Sequence, residues 1–199
     1  IKFDFVDFET LTQMKEICRL VKMKEGKDLN IEKIPQDDIK TMDLFQKGHT
    51  NDIFLFSSND MKKYLQDFKP TCFEDLTILN CMYRPGVMDD ITLVIKQKKS
   101  KKSIEYIIPC MESVLHNTYG IIVYQEQVMQ IFRTLANYTL GKADIIRRAM
   151  AKKKHDVMLK ERESFVSGSV ANGVSVEIAN EVFDEMVSFA SYAFNKSHA

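Results

Sequence analysis

The sequence predicts a mainly α-helical protein with short β segments, an α+β fold in which helices dominate. Three observations carry this. From Met111 almost to the end, apolar residues recur at spacings of three and four. Ser, Asp, Pro and Gly stand where helices would start and stop. Only two or three short segments read as strands, the best being Ile53-Phe-Leu-Phe56.

Residues 1–8 alternate apolar and polar at first, as a short strand does. Thr10 opens a helix with Leu11, Met14, Ile17, Cys18 and Val21 on one face, stopped by Gly26. Pro35, Asp37 and Asp38 open a second helix bearing Ile39, Met42, Leu44 and Phe45, ended by Gly48. Ser57, Ser58 and Asn59 can cap a helix over Asp60–Phe68, which Pro70 closes off. Phe73–Tyr83 places Leu76, Leu79 and Tyr83 at helical spacing before Arg84-Pro-Gly86. The apolar run Ile91–Ile95 leads into Lys96, Lys98, Lys99, Lys101 and Lys102, which read as a solvent-exposed loop or hairpin tip. Beyond it come a short helix at Met111–His116, one over Tyr124–Tyr138, one over Ile145–Lys153, and one over His155–Val170. After the Asn172-Gly173 turn, Ser175 caps a last helix striped by Ile178, Val182, Phe183, Met186, Val187 and Ala190.

At 199 residues, 45% hydrophobic and 28% charged, the chain can bury a core without disulfide staples. It contains no run of about 18 apolar residues and no signal-peptide pattern. Cys18, Cys72, Cys81 and Cys110 are scattered, with no zinc-ligand spacing, and read as core or half-buried filler in a reducing cytosol. The net charge is zero, so a basic coat for nucleic acid is excluded, yet two local cationic patches remain: the lysine run and Arg147–Lys154. The missing initiator Met and the abrupt end after His198 suggest a piece of something larger.

Two stretches concentrate polar and aromatic groups at helix ends. Tyr119, Tyr124, Gln125 and Gln127 stand at the start of one helix; Tyr192, Asn195, Lys196, Ser197 and His198 close another. Between them, Arg147, Arg148, Lys152, Lys153 and Lys154 crowd a helix C-terminus, where they either complement the helix dipole in solvent or bind phosphate. Tyr192 can wall a nucleobase or be a half-buried core ring. Asp4, between aromatics in the first strand, either faces solvent or contributes to a Mg²⁺ site. No Ser-His-Asp, GxSxG or Walker A pattern exists, which removes ordinary hydrolases and P-loop enzymes.

Six segments, in order, are similar to the catalytic alpha subunits of bacterial DNA polymerase III, the C-family replicative polymerases. They are Lys2-Phe-Asp-Phe5 with Thr10-Leu-Thr12; Pro70 with Cys72-Phe-Glu-Asp75; Tyr83-Arg-Pro-Gly86; Thr118-Tyr-Gly-Ile121 through Tyr124-Gln-Glu-Gln-Val-Met129; Ala143-Asp144 with Arg147-Arg-Ala-Met150 and Lys152-Lys153; and Phe189-Ala190 with Tyr192 and Phe194–Ala199. The resemblance implies that residues 1–12 end a palm domain and residues 13–199 form helical fingers. It implies template-directed nucleotidyl transfer with Mg²⁺, Asp4 matching one of three metal-binding aspartates and Lys2 meeting phosphate on the same strand face. Arg147, Arg148, Lys152 and Lys153 would meet the incoming triphosphate. Tyr192, Asn195, Lys196 and His198 would line the nucleotide pocket, with Tyr83 and Arg84 nearby. Lys96, Lys98, Lys99, Lys101 and Lys102 would contact DNA. The implied partners are primer–template DNA and dNTP and, for the full-length enzyme, a sliding clamp and a proofreading exonuclease in a bacterial cytoplasm.

The chain departs from the family's pattern at Leu55, Ser57, Asp60, Val87, Ala151, Ser191 and Ala193. The alternative reading is a non-catalytic helical nucleotide- or nucleic-acid-binding module, or a divergent translesion paralogue. The family's other two aspartates, in an Asp-x-Asp motif, have no counterpart here. The 199-residue piece alone is therefore expected to give no primer extension with Mg²⁺ and dNTPs, and clear metal-dependent extension overturns the reading.

Overall fold

The computed structural model describes residues 9–84, 87–100, 104–152, 155–190 and 192–199. Among them lie ten α-helices: α1 (Glu9–Glu25), α2 (Ile39–Gln46), α3 (Asn59–Phe68), α4 (Phe73–Met82), α5 (Met88–Lys99), α6 (Glu112–Leu115), α7 (Gln125–Ala136), α8 (Leu140–Ala151), α9 (His155–Ala171) and α10 (Val176–Ala190). The β content of the described residues is one isolated parallel bridge, Tyr124 to Phe194. The predicted strand at residues 1–8 lies outside the described residues.

Helix starts follow local chemistry. Asp38 accepts a hydrogen bond from Thr41 N at 2.8 Å, Ser58 from Met61 N at 3.3 Å, Thr139 from Lys142 N at 3.3 Å and Ser175 from Ile178 N at 3.3 Å. Each cap satisfies an amide that the first turn leaves without a partner.

Two helical regions pack separately. In the first, α2–α5 surround Met61, Leu65, Phe68, Leu79, Ile91 and Val94. In the second, α7–α10 surround Phe132, Phe165, Phe183, Val182 and Met186. Phe132 is the hub there: its ring centroid is 5.2 Å from that of Phe165, 5.3 Å from Tyr138 and 6.3 Å from Phe183. The backbones of α7 and α9 approach closely where Gly168 faces Ala136; a Cβ at residue 168 would stand 3.0–3.2 Å from Ala136 Cβ, O and Cα.

The extended segment Ile121–Tyr124 stitches the two regions together. Ile122 enters the α7–α10 core, while its neighbours Ile121 and Val123 turn to the α2–α5 core, which Tyr124 also joins. The segment is reached through a reversal at Tyr119 (φ 57) and Gly120 (φ 83). Any side chain at residue 120 would also meet Ile104 Cγ2 at 2.7 Å, so glycine is required there on both counts.

The structure corrects four expectations. Ile53–Phe56 is not a strand but a set of tight turns, with Leu55 in the left-handed region (φ 67) and Thr50 Oγ1 donating to Phe56 O at 2.5 Å. The backbone of this apolar run makes local turn bonds instead, Ile53 N donating to Thr50 O at 3.3 Å and Phe56 N to Ile53 O at 3.0 Å. The lysines at 96, 98 and 99 do not form a loop; they complete the last turn of α5, where cations complement the helix C-terminus. The apolar stripe of α1 is not core: none of its residues is buried, and Leu11 and Ile17 are more than half exposed. Cys110 is exposed, whereas Cys18 and Cys72 are half-buried and Cys81 is buried.

Phe132→Ala removes the hub ring from an otherwise rigid ring cluster and is expected to cost about 3–5 kcal/mol of stability, read as a lower urea midpoint; a loss under about 1 kcal/mol would contradict this account of the core.

Candidate functional site

The polar residues of Tyr119–Gln127 and of the C-terminal tail meet directly. Phe194 N donates to Val123 O at 2.9 Å, Gln125 N to Phe194 O at 2.8 Å, and Gln125 Nε2 to Ala193 O at 3.0 Å. Gln127, at the third position of α7, folds back: its Oε1 accepts from Val123 N (2.8 Å) and Tyr124 N (2.9 Å), as in the return half of a capping box. Its Nε2 donates to Thr118 Oγ1 at 2.7 Å and Val114 O at 3.2 Å, so this buried amide is fully used. Gln127 is thus structural, holding the strand that the tail pairs with.

Two carboxylates anchor the surrounding groups, and both come from the first turn of α4. Asp75 is nearly inaccessible, its side chain 2% exposed. It accepts from Thr71 N (2.7 Å), Thr71 Oγ1 (3.0 Å), Tyr119 OH (2.6 Å) and Lys98 Nζ. Burial alone would raise its pKa, but the hydrogen bonds from Lys98, Tyr119 and Thr71 overcome this and hold it below the ordinary aspartate value. Burial, reinforced by the bond to Asp75, pushes the Tyr119 phenol well above its ordinary pKa. Lys98 Nζ also lies 4.3 Å from the centroid of the Phe68 ring.

Glu74 Oε1 accepts from Tyr124 OH at 3.0 Å and pairs with Lys196 Nζ at 2.8 Å. That ammonium stands 5.0 Å from the Tyr124 ring centroid, and Lys196 N donates to Glu126 Oε2 at 3.3 Å. These groups border an open cavity of about 530 Å³ that Ser113, Asn117, Gln130 and Thr134 also line.

Each expected site residue has a definite place or lies outside the described residues, as Lys2, Asp4, Lys101, Lys102 and Lys153 do. Tyr83 is half-buried, its hydroxyl accepting from Ser58 Oγ at 3.0 Å. Arg84 lies over the Phe194 ring, 4.8 Å from its centroid, and shares a narrow cleft with Tyr192 and Ala193. Its Nε is buried without a hydrogen-bond partner, and burial lowers the guanidinium pKa. Tyr192 is 45% exposed. Asn195 caps the final single turn, accepting from Ser197 N at 2.9 Å, and His198 is exposed.

Arg147 and Arg148 share one partner, Asp144, at 2.8 Å each. Arg147 is mostly covered (12% exposed), while Arg148 projects (67%). Burial would raise the Asp144 pKa, but the two arginines' hydrogen bonds hold it below its ordinary value. Arg148 and exposed Lys152 line a separate shallow groove of about 250 Å³ with Ile145, Ala149 and Val157. The structure therefore joins Arg84 with Tyr192, and Lys196 with Tyr124, but gives the basic end of α8 a surface of its own. Lys96 and Lys99 are exposed; Lys98 turns inward to Asp75.

Sequence reasoning missed Glu74 and Asp75 as organising groups. The available signal was two adjacent acids opening a helix whose next face is wholly apolar. Ala193 and Ala151, which replace expected glycines, cause no strain: among the described residues the left-handed non-glycine positions are Asp52, Leu55, Lys69, Tyr119 and Asn137.

The described residues form a mainly helical domain with aromatic and cationic groups gathered at helix ends, and comparison gives its class. Residues 10–173 match the bacterial DNA polymerase III alpha subunit finger domain. The chain belongs to that family. Over its whole length it is 46% identical to DNA polymerase III subunit alpha of Chlamydia trachomatis serovar D, 42% to that of Halalkalibacterium halodurans and 40% to that of Staphylococcus aureus strain COL. It spans 16%, 18% and 19% of those proteins. Among the described residues no helix is long and apolar enough to cross a membrane.

Asp75→Asn leaves Lys98 buried without its counter-ion and is expected to cost about 3–5 kcal/mol. Because the folded pKa of Asp75 is depressed, its contribution is complete above about pH 4, the unfolded value, and is lost as pH falls through the folded value. The variant should therefore show a lower urea midpoint at neutral pH and a flatter acid limb of the stability–pH curve; an unchanged acid limb argues against the network.

Proposed function

We propose that this chain is the fingers segment of a DNA-directed DNA polymerase that adds deoxynucleotides to a primer 3′ end, contributing the surfaces that meet incoming dNTP and DNA. The observation that supports the reading is the bonding of the C-terminal tail to the Val123–Gln125 backbone, which brings Phe194 to Arg84 and Lys196 to Tyr124 on the tail that also carries Tyr192, Asn195 and His198. Family membership supplies the polymerase context.

In this reading residues 1–12 end the palm and residues 13–199 are fingers, so the division falls within the first turn of α1. Tyr192 offers an exposed ring to a nucleobase. Arg148 offers a guanidinium that remains largely in solvent although paired with Asp144, exposed Lys152 lines the same groove, and Lys153 is the further cation proposed to meet the triphosphate. Asp144 neutralises only one of the two arginine charges, and holds Arg147 in place while Arg148 projects. Lys2 would add a phosphate contact beside Asp4. Lys96 and Lys99, with Lys101 and Lys102, are the members of the lysine run that suit DNA backbone contact. Lys98 is not, because leaving Asp75 would strand a buried carboxylate.

No group of three or more acidic, His or Cys side chains among the described residues could hold a metal ion. Asp4 supplies one hard oxygen donor, which fits Mg²⁺ as part of a set shared with other ligands. Bound Mg²⁺ would neutralise the triphosphate and activate the primer 3′-hydroxyl. A sliding clamp and a proofreading exonuclease are the further partners proposed for the full-length enzyme, in the bacterial cytoplasm.

Arg148→Ala in the full-length polymerase should raise KM for dNTP about tenfold, the equivalent of one charge-assisted hydrogen bond, with thermal stability little changed because the side chain is exposed. An unchanged KM in steady-state primer extension removes Arg148 from the nucleotide site.

A further inference from the structure

We infer that Glu74 is a positioning residue for incoming-nucleotide binding, which acts by holding the Lys196 ammonium in place at the mouth of the cavity beneath the tail; the inference rests on the reading of Lys196 as a group that lines the nucleotide pocket. Lys196 sits on an exposed single turn after the last helix, where nothing in the local backbone fixes a four-carbon side chain. Its position comes from across the fold. Glu74 Oε1 holds Nζ at 2.8 Å, and the Tyr124 ring lies beneath it, 5.0 Å from centroid to nitrogen. Glu126 takes the Lys196 amide at 3.3 Å, which fixes the backbone from which the side chain departs.

Glu74 is itself held. Tyr124 OH donates to the same Oε1 at 3.0 Å, and Tyr124 is 3% exposed, so the phenol cannot follow a wandering carboxylate. The chain of constraint therefore runs from buried core ring to carboxylate to ammonium. An ammonium has three N–H donors. One is engaged by Glu74, and 43% of the Lys196 side chain remains exposed on the cavity side. Two donors are left for phosphate oxygens without breaking the pair. Glu74 thus removes conformational freedom before the nucleotide arrives, and the cost of ordering a lysine on binding falls accordingly. The effect belongs to nucleotide affinity and not to the chemical step.

The test uses the full-length polymerase in steady-state primer extension with dNTP and Mg²⁺. Glu74→Gln should raise KM for dNTP about fivefold, in the range of a single neutral-for-ionic hydrogen-bond exchange, with kcat changed less than about twofold. In a Lys196→Met background the same substitution should add nothing further. If Lys196→Met raises KM but Glu74→Gln does not, the positioning role is wrong and the nucleotide role of Lys196 stands. If Lys196→Met leaves KM unchanged, the nucleotide role of Lys196 falls and the inference with it. A Glu74→Gln effect that persists in full in the Lys196→Met background also overturns it, because Glu74 would then act through another group. Should Glu74→Gln fail to fold, Tyr124→Phe removes only the hydroxyl that orients Glu74 and is expected to give a smaller KM rise at constant kcat; no rise overturns the inference in that case.

Discussion

The arrangement depends on one short extended segment. Ile121–Tyr124 contributes Ile122 to one helical core and Ile121, Val123 and Tyr124 to the other, and its backbone is the docking edge for Phe194. Gln127 closes the remaining amides of the segment, and the Tyr119–Gly120 reversal sets its direction. Displacing this segment would disturb both cores and detach the tail that carries Tyr192, Asn195, Lys196 and His198.

The site's charges are mostly partnered by other side chains. Asp75 holds Lys98, Glu74 holds Lys196, and Asp144 holds Arg147 and Arg148. The pairs differ in kind because their burial differs. Asp75 and Lys98 are shielded from water, so the pair is a structural commitment whose disruption strands a charge. Arg148 and Lys196 retain substantial exposure, so their pairs are screened by water and weaker. The two adjacent acids at the start of α4 take opposite parts in this: one faces the core, the other the cavity.

The basic run illustrates how tertiary context divides residues that look equivalent in sequence. Lys96, Lys98 and Lys99 are near neighbours, yet the helix that carries them turns Lys98 onto Asp75 and the Phe68 ring while Lys96 and Lys99 stay in solvent. Of these three lysines, two therefore remain in solvent and one is committed to Asp75.

The helices, most of their boundaries and their caps are legible in the sequence because those signals are local: Asp38, Ser58 and Ser175 act within three residues of themselves. The family is legible for the same reason, since its motifs, from Cys72-Phe-Glu-Asp75 to Phe194–Ala199, are short contiguous runs in a fixed order. What the sequence does not display is pairing across distance. Ile53–Phe56 has the composition of a strand but closes into turns, whereas Ile121–Tyr124, an apolar run after glycine, is held by Phe194, far along the chain. The roles of Glu74 and Asp75 are hidden for the same reason: their partners Tyr124, Lys196, Tyr119 and Lys98 lie 23 or more residues away. Local hydrogen bonding and hydrophobic period are written into neighbouring residues, while the pairing of a buried charge or a lone strand is decided only when the chain closes on itself.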